Sequence, residues 1–143
     1  MRELILATAM MLSAAPGMAA DAYDTALEEV RATFGTMPSF MASMSRAALP
    51  GAWAEMKGVL LDEATALPPK TKALIAVGVG AAIGCEACVW MDSAEALRRG
   101  ATEEELREAI SVAAVEQHWN VVIKGAQIDL AALKAELGSE AAE

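Results

Sequence analysis

Apolar side chains recur along most of this chain every third or fourth residue, the spacing of an α-helix. The segment that ends at Gly35 carries acidic residues between four apolar ones at i, i+4 spacing, which are Ala22, Ala26, Val30 and Phe34. This repeat places the four side chains on one helix face, and a glycine commonly ends a helix. The same periodicity returns further along and no segment alternates convincingly as a strand, so the pattern predicts an all-α protein.

Prolines divide the next part of the chain. Pro38 and Pro50 interrupt the apolar pattern, so the segment between them is expected to hold short helical turns and a bend. The residues 52–61 then read as a helix with an apolar face formed by Trp53, Met56, Val59 and Leu60.

A run without polar side chains extends from Ala73 to Ile83. Its length predicts a helix that is buried on all sides, with Pro68 and Pro69 suited to its start. A buried strand is the alternative for the first part of the run, but the total length and the alanines favour a helix. Gly78 and Gly80 would let neighbouring helices approach closely.

The remaining segments also predict helices. One follows Gly84 and ends at Arg99, with Gly100 as a left-handed stop. The next opens with the capping-box pair Thr102 and Glu105, and its apolar face continues to Gln117, His118 and Val121. A short amphipathic helix and a frayed tail follow Gly125.

Composition and charge narrow the class of protein. The chain has 143 residues, 55% of them hydrophobic, which suits one domain with a sizeable core. A formal net charge of −9 argues against binding to nucleic acid or to anionic lipid, both of which need clustered Lys and Arg. The tryptophans Trp53, Trp90 and Trp119 are assigned to core or interface positions rather than to a substrate pocket.

The first twenty residues differ from the rest. Leu4 to Ala15 is an uncharged apolar run, followed by small residues suited to cleavage near Ala19 or Ala20. This arrangement predicts a signal peptide over 1–20, with the rest, 21–143, as the mature domain. The protein would then be periplasmic or secreted and free of the membrane. If the segment is instead an N-terminal helix of the fold, the protein would be cytoplasmic.

The candidate chemistry lies at Cys85 and Cys88, the two cysteines of the chain. Side chains at i and i+3 share a helix face, and the start of a helix favours a thiolate, so the pair is typical of a reversible dithiol. Zinc needs four ligands, and a mixed set with Asp92 and His118 is less favoured. We therefore predict neither a metal nor a cofactor. Two inert buried cysteines are the remaining alternative.

The sequence LPPKTKALIAVGVGAAIGCEACVWMDSAEALRRGATEEELREAI, Leu67 to Ile110, resembles the core of the AhpD-like alkylhydroperoxidase and carboxymuconolactone decarboxylase family. The matching features are the L-x-P-K start, the apolar helix, the glycine before C-x-x-C, and G-A-T-x-E-E-L. The resemblance implies an AhpD-like helical bundle over 21–143, with its core at 50–125, assembled as a trimer or hexamer. It also implies that the cysteine pair reduces hydroperoxides and is itself reduced by a thiol partner, whose identity is unknown.

Redox-active members of that family carry a relay Glu and a relay His, and this chain has Ala73 and Asp92 at those positions. A histidine with a free pKa of roughly 6.5 can accept a thiol proton near neutral pH, whereas an aspartate with a free pKa of roughly 3.9 is a poor base. The expectation is a weak peroxidase at best. The resemblance assigns the attack on peroxide to Cys88, while the helix-start argument favours Cys85, and the sequence leaves the choice open.

His118 is the one candidate replacement for the missing base, with Asp92 orienting it. The alternative is a buried histidine bonded to backbone carbonyls or to Gln117. Two further functions stay open. A non-catalytic family member could keep the cysteines as a structural disulfide and serve as an oligomeric or small-molecule-binding module. Decarboxylation of a lactone acid rests on the family name alone.

Overall fold

The computed structural model describes residues 16–138, with side chains from Ala22 onward. The elements within this range are α1 (Pro16–Phe34), α2 (Ser39–Ala42), α3 (Leu49–Met56), a π-turn (Lys57–Leu61), α4 (Pro69–Ala82), α5 (Glu86–Arg98), α6 (Glu103–Gly125) and α7 (Leu130–Leu137). No strand occurs among these residues, so the all-α prediction is confirmed. None of the helices described is both long and apolar enough to span a membrane. The predicted signal peptide lies, up to residue 15, outside the described residues.

The described chain forms two compact units, one ending at Leu61 and the other beginning at Asp62. The core of the first unit is built from one face of α1 together with α2 and α3, and it consists of Ala26, Val30, Met41, Leu49 and Trp53. The helical repeat of α1 therefore predicted its two central positions correctly. At its two ends the same face is more open, because Ala22 is exposed and Phe34 keeps 40% of its surface in solvent.

The helix predicted over 52–61 differs from the observed one in its bounds and its face. It begins at Leu49, since Pro50 is accommodated in the first turn, where no backbone N–H is needed. It then widens into the π-turn, which adds residues per turn and rotates the face that points inward. Trp53 is buried as predicted, but Val59 and Leu60 are 57% and 39% exposed.

The second unit is organised around α4, which packs against both α5 and α6. Its buried core is made of small and medium side chains, namely Ala73, Val77, Ala96, Ala101 and Leu106. The predicted helix ends are confirmed here. Gly100 adopts a φ of +84° directly after α5, and the Thr102 and Glu105 side chains each accept the other's backbone N–H at the start of α6.

The prediction that α4 is buried on all sides is wrong. Ala73 and Val77 are buried, but Ile75 and Val79 keep 50% and 54% of their surface exposed. The reason is that α5 and α6 cover two sides of α4 and leave a third side uncovered within the second unit. An apolar helix face therefore remains open along α4.

Candidate functional site

The cysteine pair sits at the junction of α4 and α5. After α4 the chain turns at Gly84, whose φ of +73° is a left-handed conformation that glycine adopts without strain. The Cys85 N–H then donates to the Gly80 carbonyl at 2.9 Å, and Cys85 becomes the N-cap residue of α5. The turn thus fixes Cys85 at the mouth of the helix, as the sequence predicted.

The two sulfurs are neighbours. The Sγ atoms of Cys85 and Cys88 lie 1.96 Å apart and the Cα atoms 5.2 Å apart, and the Cα separation is within the usual range for a disulfide. Both residues are half-buried rather than sealed in the core. The predicted proximity of the pair is therefore confirmed, and the structure holds it as a disulfide.

The sulfur of Cys85 receives a hydrogen bond from its own helix. The backbone N–H of Cys88 donates to Cys85 Sγ at 3.2 Å, the bond expected of an N-cap side chain. A donor N–H at a helix start stabilises negative charge on the atom that it contacts. After reduction, this contact would favour the thiolate form of Cys85.

The two cysteines face different surroundings. An open depression of about 620 Å³ borders Cys85 but not Cys88, and its lining consists of Gly80, Ala81, Gly84, Cys85, Glu86, Val89, Trp90 and Ser93. Cys88 instead abuts α4, since a Cβ placed on Gly80 would come within 3.2 Å of the Cys88 Cβ. Cys85 is thus the cysteine that lines the depression.

Trp90 is the aromatic residue at this site, and of the core and interface positions that the sequence left open for it the core is excluded within the single chain. Its side chain is 74% exposed and borders the depression beside Cys85, rather than lying in the core. Trp53, by contrast, is buried, and its Nε1 donates to Glu29 at 2.6 Å. The position of Trp90 two residues after Cys88 is the signal that could have identified it, because it must share the start of α5 with the pair.

Asp92 lies one helical turn after Cys88, so the two residues share a face of α5. Partial burial raises the pKa of the Asp92 carboxyl, and the nearby negative charge of Glu95 raises it further. Ala73, at the position of the family's other relay group, is buried in the core of the second unit and offers no titratable group. Asp92 is therefore the acid one turn from Cys88 on this face, and Glu95 follows it along the same face.

His118 is exposed on α6 and does not line the depression beside Cys85. Ala113 faces α4 at Gly78, and five residues along an α-helix turn His118 about 140° away from that side. Its side chain is exposed and packs edge-on against Trp119, with ring centroids 5.2 Å apart. The expectation that this face of α6 packs into the core is therefore wrong for His118. The neighbouring Gln117 contacts α4 instead, and donates to the Ala82 carbonyl at 2.6 Å.

A second concavity of about 630 Å³ runs between α4 and α6, and we call it the α4–α6 groove. Its lining is mostly apolar, and consists of Thr71, Leu74, Ile75, Gly78, Val79, Ala82, Ala109, Val112, Ala113, Glu116, Gln117 and Asn120. The exposed faces of Ile75 and Val79 belong to it. Among the described residues, no group of three or more His, Cys, Asp or Glu side chains is arranged to hold a metal ion.

The sequence and the fold of this chain are both similar to those of known proteins. Residues 47–129 match the sequence profile of the carboxymuconolactone decarboxylase family. An uncharacterized protein of Cupriavidus necator is 32% identical over 90 residues, which cover 62% of this chain and 73% of that protein. The crystal structure of the alkylhydroperoxidase AhpD core from Rhodospirillum rubrum superposes with a TM-score of 0.66 at 24% identity, covering 87% of this chain and 94% of that one. This likeness confirms the predicted fold.

Proposed function

The chain belongs to the carboxymuconolactone decarboxylase family, and from that premise we propose that it is a thiol–disulfide redox protein with alkylhydroperoxide-reducing chemistry. The observation that carries the proposal is the pair Cys85 and Cys88, bonded at a helix start and half-exposed beside an open depression. A disulfide that is accessible at a helix N-terminus can be reduced and reformed, whereas one that is sealed in a core cannot be reached.

The proposed cycle uses only the two sulfurs and outside reactants. A thiolate attacks the O–O bond of a hydroperoxide, forms a sulfenic acid, and releases an alkoxide that takes up a proton to become the alcohol. The second thiol then attacks the sulfenic sulfur, water leaves, and the disulfide forms. Two thiol groups of an external reductant donate the two electrons that return the pair to the dithiol.

Proton transfer is the weak part of this cycle. Asp92 is the proposed acceptor within α5, because its raised pKa makes it a somewhat stronger base than an ordinary aspartate. His118 stays a prediction in this role. The expected activity is therefore low.

A second candidate function follows from the same observations. The family's relay groups are replaced by Ala73 and Asp92, and the apolar α4–α6 groove lies apart from the cysteines. Both facts favour a non-catalytic member, in which the disulfide is structural and the fold serves assembly or small-molecule binding. We further propose that the protein is exported, as the residues 1–20 suggest, and that it assembles as a trimer or hexamer.

The reduction potential of the pair separates these two functions. We expect a value between about −120 and −270 mV, the range of thiol oxidoreductases, from titration of the free thiols in redox buffers. A potential well below about −300 mV would instead indicate a structural disulfide. Consumption of an alkylhydroperoxide by the wild type should be lost in both Cys85→Ser and Cys88→Ser, since each variant retains only one sulfur.

A further inference from the structure

We propose that Cys85, and not Cys88, is the sulfur through which this protein reacts with outside molecules, and that Trp90 and Glu86 make the depression beside it selective for apolar, uncharged reactants. This inference rests on the proposed redox function and assigns the roles within that site. It concerns only residues at the end of α4 and the first turns of α5.

The first support is access. Attack on a disulfide sulfur proceeds from the side opposite the leaving sulfur, so one open side is required. The depression is lined by Cys85 and not by Cys88. Cys88 is backed by α4, where even a methyl group on Gly80 would lie 3.2 Å from the Cys88 Cβ and 3.3 Å from the Val89 N. A molecule that occupies the depression therefore lies beside Cys85.

The second support is charge. Cys85 Sγ accepts the Cys88 N–H at 3.2 Å, so a thiolate on Cys85 retains a hydrogen-bond donor from the helix N-terminus. The same contact stabilises negative charge on Cys85 whenever it is the attacking group. In the oxidative direction, therefore, access and charge favour the same sulfur, whereas in the reductive direction access is the argument for attack on Cys85.

The lining of the depression defines the reactant. Trp90, which is 74% exposed, contributes an aromatic wall, and Val89 and Ala81 contribute aliphatic surface. Glu86 is the charged group of this lining, it is exposed, and no ion pair of it is seen within residues 22–138. A carboxylate beside the reacting sulfur repels anions, and an apolar wall favours an uncharged organic group.

The reaction needs the two cysteines, two external thiol groups as the reductant, and an oxidising reactant. In the reductive direction an external thiol enters uncharged and loses its proton as it attacks Cys85. A mixed disulfide with Cys85 forms, the bond between Cys85 and Cys88 breaks, and Cys88 leaves and takes up a proton. A second external thiol then attacks the mixed disulfide on the reductant's own sulfur, which leaves Cys85 reduced. In the oxidative direction the Cys85 thiolate attacks the O–O bond of a hydroperoxide, becomes a sulfenic acid, and releases an alkoxide that takes up a proton to become the alcohol. The Cys88 thiol then attacks the sulfenic sulfur, water leaves, and the disulfide forms.

The direct test compares single-cysteine variants in their reaction with the neutral disulfide 4,4′-dithiodipyridine, followed by release of thiopyridone. Cys88→Ser, which retains Cys85, should react about ten-fold faster than Cys85→Ser. Equal rates, or a faster Cys88, would overturn the assignment. This outcome does not depend on any peroxidase activity, so the proposed function and this inference can fail separately.

The wild-type protein provides a second measurement that needs no cysteine substitution. After reduction, a substoichiometric amount of iodoacetamide should label mainly Cys85, as read by mass spectrometry of the peptides. Preferential labelling of Cys88 would contradict the proposal even if the single-cysteine variants failed to fold.

The selectivity of the depression against charged reactants is tested with two reagents of different charge. Glu86→Gln should raise the rate with the dianionic Ellman's reagent several-fold and leave the rate with 4,4′-dithiodipyridine nearly unchanged. Glu108→Gln, which removes one charge from an exposed position on α6, is the matched control and should change neither rate. If Glu86→Gln and Glu108→Gln behave alike, Glu86 has no role in selection.

Trp90→Ala should slow the reaction with aromatic 4,4′-dithiodipyridine while sparing the small neutral reagent methyl methanethiosulfonate. Trp119→Ala, at another exposed tryptophan that does not border the depression, serves as its control. A uniform effect of Trp90→Ala on both reagents would show that the side chain does not select.

Discussion

At the residue scale, Asp92 carries a carboxyl group that is harder to ionise in the folded protein than in the unfolded chain. Burial raises its pKa first, and repulsion from Glu95 raises it further. A carboxyl whose pKa is raised on folding stabilises the folded protein fully at pH values below its unfolded pKa of about 3.9. This stabilisation is lost as the pH rises through the pKa of the folded protein. At neutral pH, therefore, Asp92 destabilises the fold.

The substitution Asp92→Asn should raise the free energy of unfolding near neutral pH, by less than about 1 kcal/mol because much of the side chain keeps its water. Near pH 3, where the aspartate is mostly protonated, the difference should largely disappear. Urea denaturation at both pH values measures the effect, with the exposed Glu108→Gln as control. A less stable Asp92→Asn at neutral pH would contradict the raised pKa.

At the element scale, two glycines of α4 differ in what surrounds them. A Cβ on Gly80 would lie 3.2 Å from the Cys88 Cβ and 3.3 Å from the Val89 N, both on α5, so the two helices would have to move apart. A Cβ on Gly78 would lie 3.4 Å from the Ala109 carbonyl and 3.9 Å from the Ala113 Cβ, which are ordinary contacts. The sequence predicted a close helix approach at both glycines. The structure requires the absence of a side chain at Gly80 but not at Gly78.

This difference predicts opposite signs for the same substitution. Gly80→Ala should destabilise the protein by about 1–3 kcal/mol through overpacking. Gly78→Ala should stabilise it by up to about 1 kcal/mol, because alanine is the better helix former. Denaturation of the oxidised protein gives both values. The packing described for α4 and α5 would be wrong if both variants shifted the midpoint in the same direction.

At the scale of the whole molecule, one side of α4 leaves apolar side chains exposed to solvent in the single chain. Ile75, Val79 and Val112 are each at least 50% exposed along the α4–α6 groove. Contiguous exposed apolar surface of this kind is typical of a protein interface. The trimer or hexamer proposed above would bury it.

Placing a charge in the groove should therefore prevent assembly. We expect Val79→Glu to sediment at the mass of one chain while the wild type sediments at a multiple of it. Val59→Glu, at an exposed valine of the first unit, is the control and should assemble normally. Because each copy carries a net charge of −9, higher salt should strengthen assembly of the wild type. Assembly of Val79→Glu like the wild type would show that this groove is not the interface.

The sequence predicted local structure well. The ends of α5, the capping box of α6 and the cysteine pair at a helix start were all readable, since each depends on residues within one or two turns of each other. The bounds of α3 were less readable, because a π-turn is not marked by a distinctive pattern of residues.

What the sequence by itself determined, then, was an all-helical chain of a recognisable family with a disulfide-forming pair at the start of a helix. The tertiary structure alone decided which side of α4 stays open, that His118 points away from that helix, and that Cys85 rather than Cys88 borders a depression. The reason is physical. Periodicity and caps are set by neighbours along the chain, whereas the exposure of a given face depends on how many other helices pack against it and at which angles around its axis.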